Sequence, residues 1–210
     1  MIPFLWLLSA SLKLRSEVFN TEWFPNPIAW GNYLRVWQAA PLLSWLNNSI
    51  IVGVLSAFTV TISSSLVAFG FANFRFPGRD ALFGLVLATM MLPGAVTMIP
   101  VYLIWNELGL VNTLVPLWAG NLFGSAFYIF LLRQFYLTLP KDLFEAARVD
   151  GASFFQIWWR IATPLTSTAL IVVFIFEFKA SWTDLMKPLI YLYDTPLFTM
   201  PRGIKALVDQ

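Results

Sequence analysis

Long apolar segments separated by short polar ones set the pattern of this chain. After a mixed region that ends near residue 46, apolar runs cover about residues 48–72, 81–105, 115–136 and 166–192. Each approaches the roughly 20 residues that an α-helix needs to cross about 30 Å of hydrocarbon. Residues 1–12 read as the outer half of a further span whose beginning is missing. The pattern therefore predicts an all-α, polytopic helical membrane protein with about five spans.

Small residues and prolines mark the interior of the predicted spans. The 48–72 span is rich in Gly, Ser and Ala, which favours a position inside a helix bundle. Pro93 and Pro100 predict a kink near the middle of the third span, because proline lacks the N–H that an inner helical turn requires. Gly120 and Gly124 lie four residues apart in the fourth span, and this spacing predicts a close helix contact.

Composition excludes most other classes of protein. The chain is 59% hydrophobic and 11% charged, against about 25% charged in an average soluble domain. It has no Cys and no His, which removes thiol chemistry, disulfides and most transition-metal sites. The net charge of +2 is too small to predict nucleic-acid binding. No cluster of nucleophile, base or metal ligands is found, so the sequence predicts no enzyme activity and no metal.

Residues 139–165 form the longest stretch that is helical in pattern without being long and apolar enough to lie in the membrane. A short helix with interleaved charges ends at Gly151, since only glycine takes the left-handed cap conformation without steric cost. Ser153 and Gln156 have the spacing of a capping box, which predicts a second helix. The apolar face of that helix is expected to consist of Phe154, Ile157, Trp158 and Ile161. The prediction is a helix, a turn and a helix at the water interface.

The fifth apolar run contains charges inside the predicted membrane layer. In a continuous helix, Glu177, Ser181 and Asp184 would share one face, while Lys179 would lie about 200° round from Glu177. A charge at the bilayer centre costs about 2.5 to 3.5 kcal/mol on insertion scales, so such residues face a wet cavity or a partner. We expect the Glu177, Ser181 and Asp184 face to line a translocation path, and Lys179 to pair with another helix or subunit.

Positive charge predicts the orientation. Arg75 and Arg79 lie between the second and third spans, and the loop between the third and fourth carries no Lys or Arg. The positive-inside rule then puts residues 139–165 on the cytoplasmic side. Trp158 and Trp159 would form an aromatic belt at that interface.

Beyond these physical patterns, the chain resembles a known family. One motif resembles the EAA signature of permease subunits in binding-protein-dependent ABC importers. It consists of Glu145-Ala146-Ala147, then Gly151, then Ile161-x-x-Pro164. Neighbouring residues resemble the maltose-permease-like, carbohydrate branch. Further matches follow in order along the chain: Asn48-Ser49, Phe74 to Arg79, Met91-Leu92-Pro93, Ile99 to Tyr102, Leu108 to Thr113, and Ser181-Trp182-x-Asp184.

The resemblance implies a fold, a function and partners. It implies the ABC type I importer permease fold, with residues 1–210 as a single transmembrane domain and residues 139–165 as its EAA coupling loop. The chain would import a sugar or oligosaccharide across the cytoplasmic (inner) membrane, with a second permease subunit and an extracytoplasmic solute-binding protein. ATP would be bound by partner ATPase subunits, so the chain would need no cofactor. The residues implied in ATPase coupling are Glu145, Ala146, Ala147, Arg148, Asp150, Gly151 and Ala152.

Three departures and several alternatives accompany the resemblance. Thr163 stands where the family usually has Leu, and Thr183 and Lys187 replace the common Asn and Trp. The sixth helix expected after Gln210 is absent, which together with the short first run indicates truncation at both ends. The same machinery could serve glycerol phosphate or a polyamine. From a different class, an ion-coupled secondary transporter could use Glu177 and Lys179 as its coupling pair.

Overall fold

The computed structural model describes residues 2–14, 16–18, 20 and 22–209, and these residues form helices and loops without a β-strand. The chain divides into two compact units, residues 1–43 and 44–210. The single domain predicted from the sequence stays a prediction. Met1 and Gln210, where the sequence indicates truncation, lie outside the described residues.

The first unit is organised around a buried lysine. It contains helices α1 (Ile2–Ser11) and α2 (Gly31–Ala39). Between them, Lys13 is only 2% exposed, and its Nζ donates to Asn20 Oδ1 at 2.8 Å and to the Glu22 carbonyl at 2.6 Å. The ammonium also lies 4.4 Å from the centre of the Trp6 ring. These contacts replace the water that a buried cation loses, so they hold the loop in place.

Helix α3 (Leu42–Asn73) is the central element of the second unit. Its 32 residues make it the one described helix that is long and apolar enough to cross a membrane alone. The prediction of an interior helix is confirmed, because its small residues are buried where neighbours approach. A Cβ at Gly53 would lie 2.9 Å from the Phe178 ring. The buried small residues of α3 include Ser56, Ala57, Ser64, Ser65 and Ala68.

The third predicted span is broken into two helices. The change of direction between them is larger than the kink that the sequence predicted. Helices α4 (Arg79–Thr89) and α5 (Gly94–Glu107) meet at 96°. Pro93 precedes α5 in an extended conformation, with ψ of 131°, which no helix can continue through. Pro100 lies inside α5 without ending it. The bend therefore belongs to residues 90–93.

The fourth predicted span is also interrupted. Helix α6 (Val115–Trp118) runs into a 3₁₀ turn (Ala119–Phe123), and α7 (Ala126–Leu137) follows after a 40° bend. Gly124 lies at the bend with φ of +78°, and a Cβ there would come 3.3 Å from Ser64 Oγ. Nothing lies within 4 Å of a Cβ at Gly120. The predicted close contact is thus right for Gly124 and wrong for Gly120.

Residues 139–165 lie between α7 and the last apolar run, and we call them the coupling stretch after their predicted role. They contain α8 (Lys141–Val149), α9 (Phe154–Ile157), a π-helical turn (Trp158–Ala162) and α10 (Thr163–Leu165). Counting each bent pair as one span gives up to four membrane crossings, including residues 154–165 with the next helix at 82°. Helix α1 is apolar but has only 10 residues. The sequence predicted about five spans, so the described residues give at least one fewer.

The sequence predicted one continuous helix for the fifth span, but the structure shows two helices. Helix α11 (Ser167–Thr183) ends before Asp184, whose backbone is extended, and α12 (Met186–Tyr191) begins after it. A 3₁₀ turn (Thr195–Leu197) and α13 (Met200–Val208) complete the described chain. Helix α11 packs on α7 and α13. The last segment returns to the start of α3, where a Cβ on Gly203 would overlap the indole of Trp45.

A single asparagine joins two loops at the α3-start end of this unit. Asn112 has φ of +62°, a left-handed conformation that asparagine tolerates better than most residues. Its Oδ1 accepts from the backbone N–H groups of Tyr193 at 2.9 Å and Asp194 at 3.1 Å. Its Nδ2 donates to Asp194 Oδ2 at 2.8 Å. The side chain thus ties the 108–113 loop to residues 191–194.

We expect Asn112→Ala to lower the free energy of unfolding by about 0.5 to 1.5 kcal/mol, because its hydrogen bonds to the exposed residues Tyr193 and Asp194 are lost. Thermal unfolding of the detergent-solubilised protein measures the change. Asn106→Ala is the matched control, since Asn106 is exposed and its side chain forms no hydrogen bond with the described residues. Equal stability of both variants would contradict a stitching role for Asn112.

Candidate functional site

The turn predicted at Gly151 is confirmed and has a defined hydrogen-bond pattern. Gly151 has φ of +82°. Its N–H donates to the Arg148 carbonyl at 3.0 Å, and the Ala152 N–H donates to the Ala147 carbonyl at 2.9 Å. These two bonds form a Schellman motif, which satisfies carbonyls at the end of α8. The motif fixes the direction in which the chain leaves the first coupling helix.

The second coupling helix begins with the predicted capping box. The Ser153 hydroxyl accepts from the Gln156 N–H, and the Gln156 side chain accepts from the Ser153 N–H at 2.7 Å. The helix then widens, because the Thr163 N–H donates to the Trp158 carbonyl five residues earlier. Such π-helical turns hold an extra residue and are frequent at functional sites. The Thr163 hydroxyl is buried there without a hydrogen-bond partner among the described residues.

A buried hydrogen-bond network ties this helix to the bundle. Trp158 Nε1 donates to Ser65 Oγ on α3 at 2.9 Å, and the Tyr136 hydroxyl on α7 lies 2.6 Å from the same oxygen. Trp158 is 4% exposed, whereas Trp159 is 53% exposed. The predicted aromatic belt is therefore wrong for Trp158, which connects three elements. We call Ser65, Tyr136 and Trp158 the serine network.

Aromatic packing adds a second connection between the coupling stretch and α3. The buried Phe144 ring of α8 packs edge-on against Phe69, with ring centres 5.9 Å apart. Phe154 at the start of α9 packs against Phe74 at 4.6 Å. Both coupling helices therefore rest on the end of α3. A displacement of the stretch is expected to move α3, since packed interiors transmit strain.

The predicted coupling residues divide between two faces. Glu145, Ala146, Arg148, Asp150 and Gly151 are exposed. Ala147 and Ala152 are half-buried and pack against the protein's own core. Their contribution to a partner surface stays a prediction, since each is only half-buried.

The outer surface of α8 contains apolar residues that the motif did not indicate. Val149 is 88% exposed and Leu143 is 44% exposed. Together with Ala146 they follow a spacing of three residues, which places them along one side of the helix. The sequence indicates an apolar side of this helix, but the family signature contains Ala146 and neither Leu143 nor Val149. We call Leu143, Ala146 and Val149 the outer ridge.

The second half of α11 brings two of the three predicted pathway residues, both half-buried, together. Glu177 Oε1 accepts from Asn121 Nδ2 at 2.7 Å, and the same amide donates to the Ser56 carbonyl at 3.3 Å. The Ser181 hydroxyl lies 3.4 Å from that of Ser56. Sequence patterns did not indicate Asn121, because nothing in residues 119–123 predicts a 3₁₀ turn in place of an α-helix.

The third predicted pathway residue has a different environment. Asp184 does not share the Glu177 face, because α11 ends at Thr183. Its Oδ1 accepts from the N–H groups of Met186 at 2.9 Å and Lys187 at 3.3 Å, which caps α12. Lys179 is exposed on α11 and forms no ion pair with the described residues.

Comparison with known proteins matches residues 49–205 to the family of binding-protein-dependent transport system inner membrane components. The arabinooligosaccharides transport system permease of Bacillus subtilis is 32% identical over 214 residues, covering 100% of this chain and 76% of that protein. The sn-glycerol-3-phosphate transport system permease of Yersinia enterocolitica is 34% identical over 195 residues, covering 88% of this chain and 68% of that protein.

A solved structure agrees with the fold. It is the crystal structure of a bacterial ABC transporter involved in the import of the acidic polysaccharide alginate. The TM-score is 0.85 at 24% identity, over 99% of this chain and 74% of that chain. The predicted ABC type I importer permease fold is confirmed. The chain therefore belongs to the binding-protein-dependent transport system inner membrane components: it is a membrane-embedded permease subunit of an ABC importer and not an enzyme.

Proposed function

We propose that this permease subunit imports a sugar or small oligosaccharide across the cytoplasmic membrane. It pairs with a second permease around a central path and receives its substrate from an extracytoplasmic binding protein. ATP hydrolysis by partner ATPases drives the cycle through residues 139–165. The observation that carries the proposal is the outer ridge, an exposed apolar surface on a helix whose opposite side packs on α3 through Phe144.

The geometry of the coupling stretch supports ATPase docking. The outer ridge is bordered by Glu145, Arg148 and Asp150, all exposed. An apolar centre with a charged rim is the usual anatomy of a protein interface. Rim charges set the register more than the affinity, since exposed ion pairs contribute roughly 0 to 1 kcal/mol.

The distribution of positive charge supports a cytoplasmic position for this end. Arg75, Arg79 and Arg133 lie beside the coupling stretch, around a cavity at the end of α3. The positive-inside rule favours that side for such a cluster. The ATPase would then meet the permease where ATP is available.

The substrate class rests on the pathway residues and on relatives. Glu177 offers a carboxylate oriented by Asn121 inside the membrane layer, and carboxylate oxygens accept hydrogen bonds from sugar hydroxyls. The Bacillus relative is named for arabinooligosaccharides, which supports an oligosaccharide. The Yersinia relative supports sn-glycerol 3-phosphate as the second candidate. Family membership favours ATP-driven import over the ion-coupled alternative.

Uptake by the reconstituted importer tests the proposal. Proteoliposomes containing the permease pair, the ATPases and the binding protein would be supplied with labelled oligosaccharide, sn-glycerol 3-phosphate or a polyamine. ATP-dependent accumulation of the oligosaccharide is expected. Accumulation of only the phosphate or the polyamine would reject the sugar proposal, and uptake driven by an ion gradient without ATP would reject ATPase coupling.

We expect Glu177→Gln to reduce uptake at least tenfold at unchanged expression, because a hydrogen bond to a charged group contributes about 1.5 to 3 kcal/mol. The amide keeps the size of the side chain but removes the charge that faces the proposed path. Asp184→Asn is also expected to reduce uptake, and an asparagine oxygen can still cap α12, so the loss would report the charge.

Glu107→Gln is the control, because Glu107 is exposed and forms no ion pair with the described residues. Its uptake should equal that of the wild type. Wild-type uptake by both Glu177→Gln and Asp184→Asn would remove these carboxylates from the path.

A further inference from the structure

A basic cavity of about 1040 Å³ lies between the end of α3 and the coupling stretch. Among the residues that the structure describes, five cationic side chains and one carboxylate, that of Glu145, line it. The cations are Arg75, Arg79, Arg133, Lys141 and Arg148. The lining therefore carries a formal excess of four positive charges, which favours an anionic occupant.

The cations of this basic cavity are poorly neutralised by the protein. Arg79 pairs with Asp80 at 2.9 Å, and Arg133 lies 4.3 Å from the centre of the Phe83 ring. Neither Arg75 nor Lys141 forms an ion pair with any described residue. Both are exposed. At least two cations thus remain available to an external anion.

Apart from Asn73, the rest of the lining is apolar. Aromatic and aliphatic side chains from α3, α7 and both coupling helices form it: Phe69, Phe74, Leu137, Phe144, Phe154 and Ile157. A soluble anion such as free phosphate would leave these surfaces in water. An amphiphile with a charged head and an apolar body satisfies both parts of the cavity.

The position of the cavity along α3 points to the same class of ligand. A helix of 32 residues is about 48 Å long, which exceeds the roughly 40 to 45 Å of a bilayer with its headgroups. The last turn of α3, at Asn73, therefore reaches the headgroup layer. Basic pockets between membrane helices at this depth bind the headgroups of anionic lipids.

We propose that the basic cavity holds the phosphodiester headgroup of an anionic phospholipid, with Arg75 and Lys141 as its charge partners. The acyl chain leaves along the aromatic wall towards the membrane. Because Phe144 and Phe154 belong to the coupling helices, an occupied cavity would brace those helices against α3. The proposal concerns lipid binding and is independent of the transported solute.

Lipid titration of the assembled importer by native mass spectrometry tests this. The probes are phosphatidylglycerol and, as the uncharged comparison, phosphatidylcholine. Each surface cation contributes about 1 kcal/mol to anionic-lipid binding, or about fivefold in affinity. Arg75→Gln and Lys141→Gln should each weaken phosphatidylglycerol binding about fivefold, and the double variant about 25-fold. Phosphatidylcholine binding should not change.

Arg160→Gln is the matched control, since Arg160 is exposed on the coupling stretch but does not line the cavity. An equal loss in this variant would show general surface attraction and overturn the proposal. Displacement of the lipid by millimolar inorganic phosphate would identify a free-phosphate site instead. Weaker ATPase co-purification in the double variant, with unchanged lipid affinity, would assign the cavity to the ATPase.

Discussion

Gly151→Trp is expected to abolish coupling to the ATPase while the permease still inserts and folds. Two structural facts separate these effects. No atom lies within 4 Å of a Cβ at Gly151, so a side chain can start there without a clash at its first atom. The left-handed backbone, with φ of +82°, costs a non-glycine residue only about 1 to 2 kcal/mol. The indole would instead stand beside the outer ridge and block the approach of a partner.

The measurements are ATPase co-purification and substrate-stimulated ATP hydrolysis. Gly109→Trp is the control for co-purification, because Gly109 also has a positive φ of +66° and open space at Cβ. It lies in the loop that Asn112 ties down, away from the coupling stretch. Gly151→Asn should retain partial coupling, since asparagine tolerates this conformation and is smaller. Normal coupling in Gly151→Trp would remove Gly151 from the docking surface.

Ser65→Ala is expected to destabilise the permease by about 1 to 3 kcal/mol and to weaken coupling without touching any exposed residue. The hydroxyl is shared by Trp158 Nε1 at 2.9 Å and the Tyr136 hydroxyl at 2.6 Å. Hydrogen bonds between membrane helices contribute on average about 0.6 kcal/mol and at most about 1.7, and two are lost here. The unpaired indole N–H adds the cost of an unsatisfied buried donor.

Trp158→Phe and Trp159→Phe form a matched pair for this test. Both keep an aromatic ring, but only Trp158 donates to the serine network and is buried. Trp158→Phe should lower thermal stability and substrate-stimulated ATP hydrolysis, whereas Trp159→Phe should leave stability unchanged. The Ser65→Ala, Trp158→Phe double variant should lose less than the sum of both singles, since the variants remove one shared bond. Strict additivity would contradict the network.

The fold class and the coupling turn could be predicted from the sequence because they depend on local chemistry. Apolar length fixes where helices can enter a bilayer, and the predicted span of about residues 48–72 ends within one residue of α3 but begins six residues later. The turn at Gly151 and the capping box at Ser153 need only residues within six positions of each other. Because these motifs depend on neighbouring residues alone, the sequence predicted both of them correctly.

Features that depend on distant partners could not be predicted. Nothing near Ser65 indicates that it accepts from Trp158, 93 residues away. Asn121, which donates to Glu177, lies in the 3₁₀ turn that interrupts the fourth span next to Gly124, and no local pattern indicates that interruption. A sequence pattern of period 3.6 assumes an unbroken helix, so it placed Asp184 on a face that ends one residue earlier.

The π-helical turn at Trp158–Ala162 changes the direction in which the side chains after it point. Each residue of an α-helix advances by about 100°, so one extra residue held in the turn rotates everything after it by about that angle. A helical wheel drawn through residues 154–165 is therefore out of phase beyond Ala162. The extra residue therefore changes which side of the following helix faces the bundle. Trp158 donates to Ser65 at the start of the turn, and Thr166 and Ala169 are still buried after it.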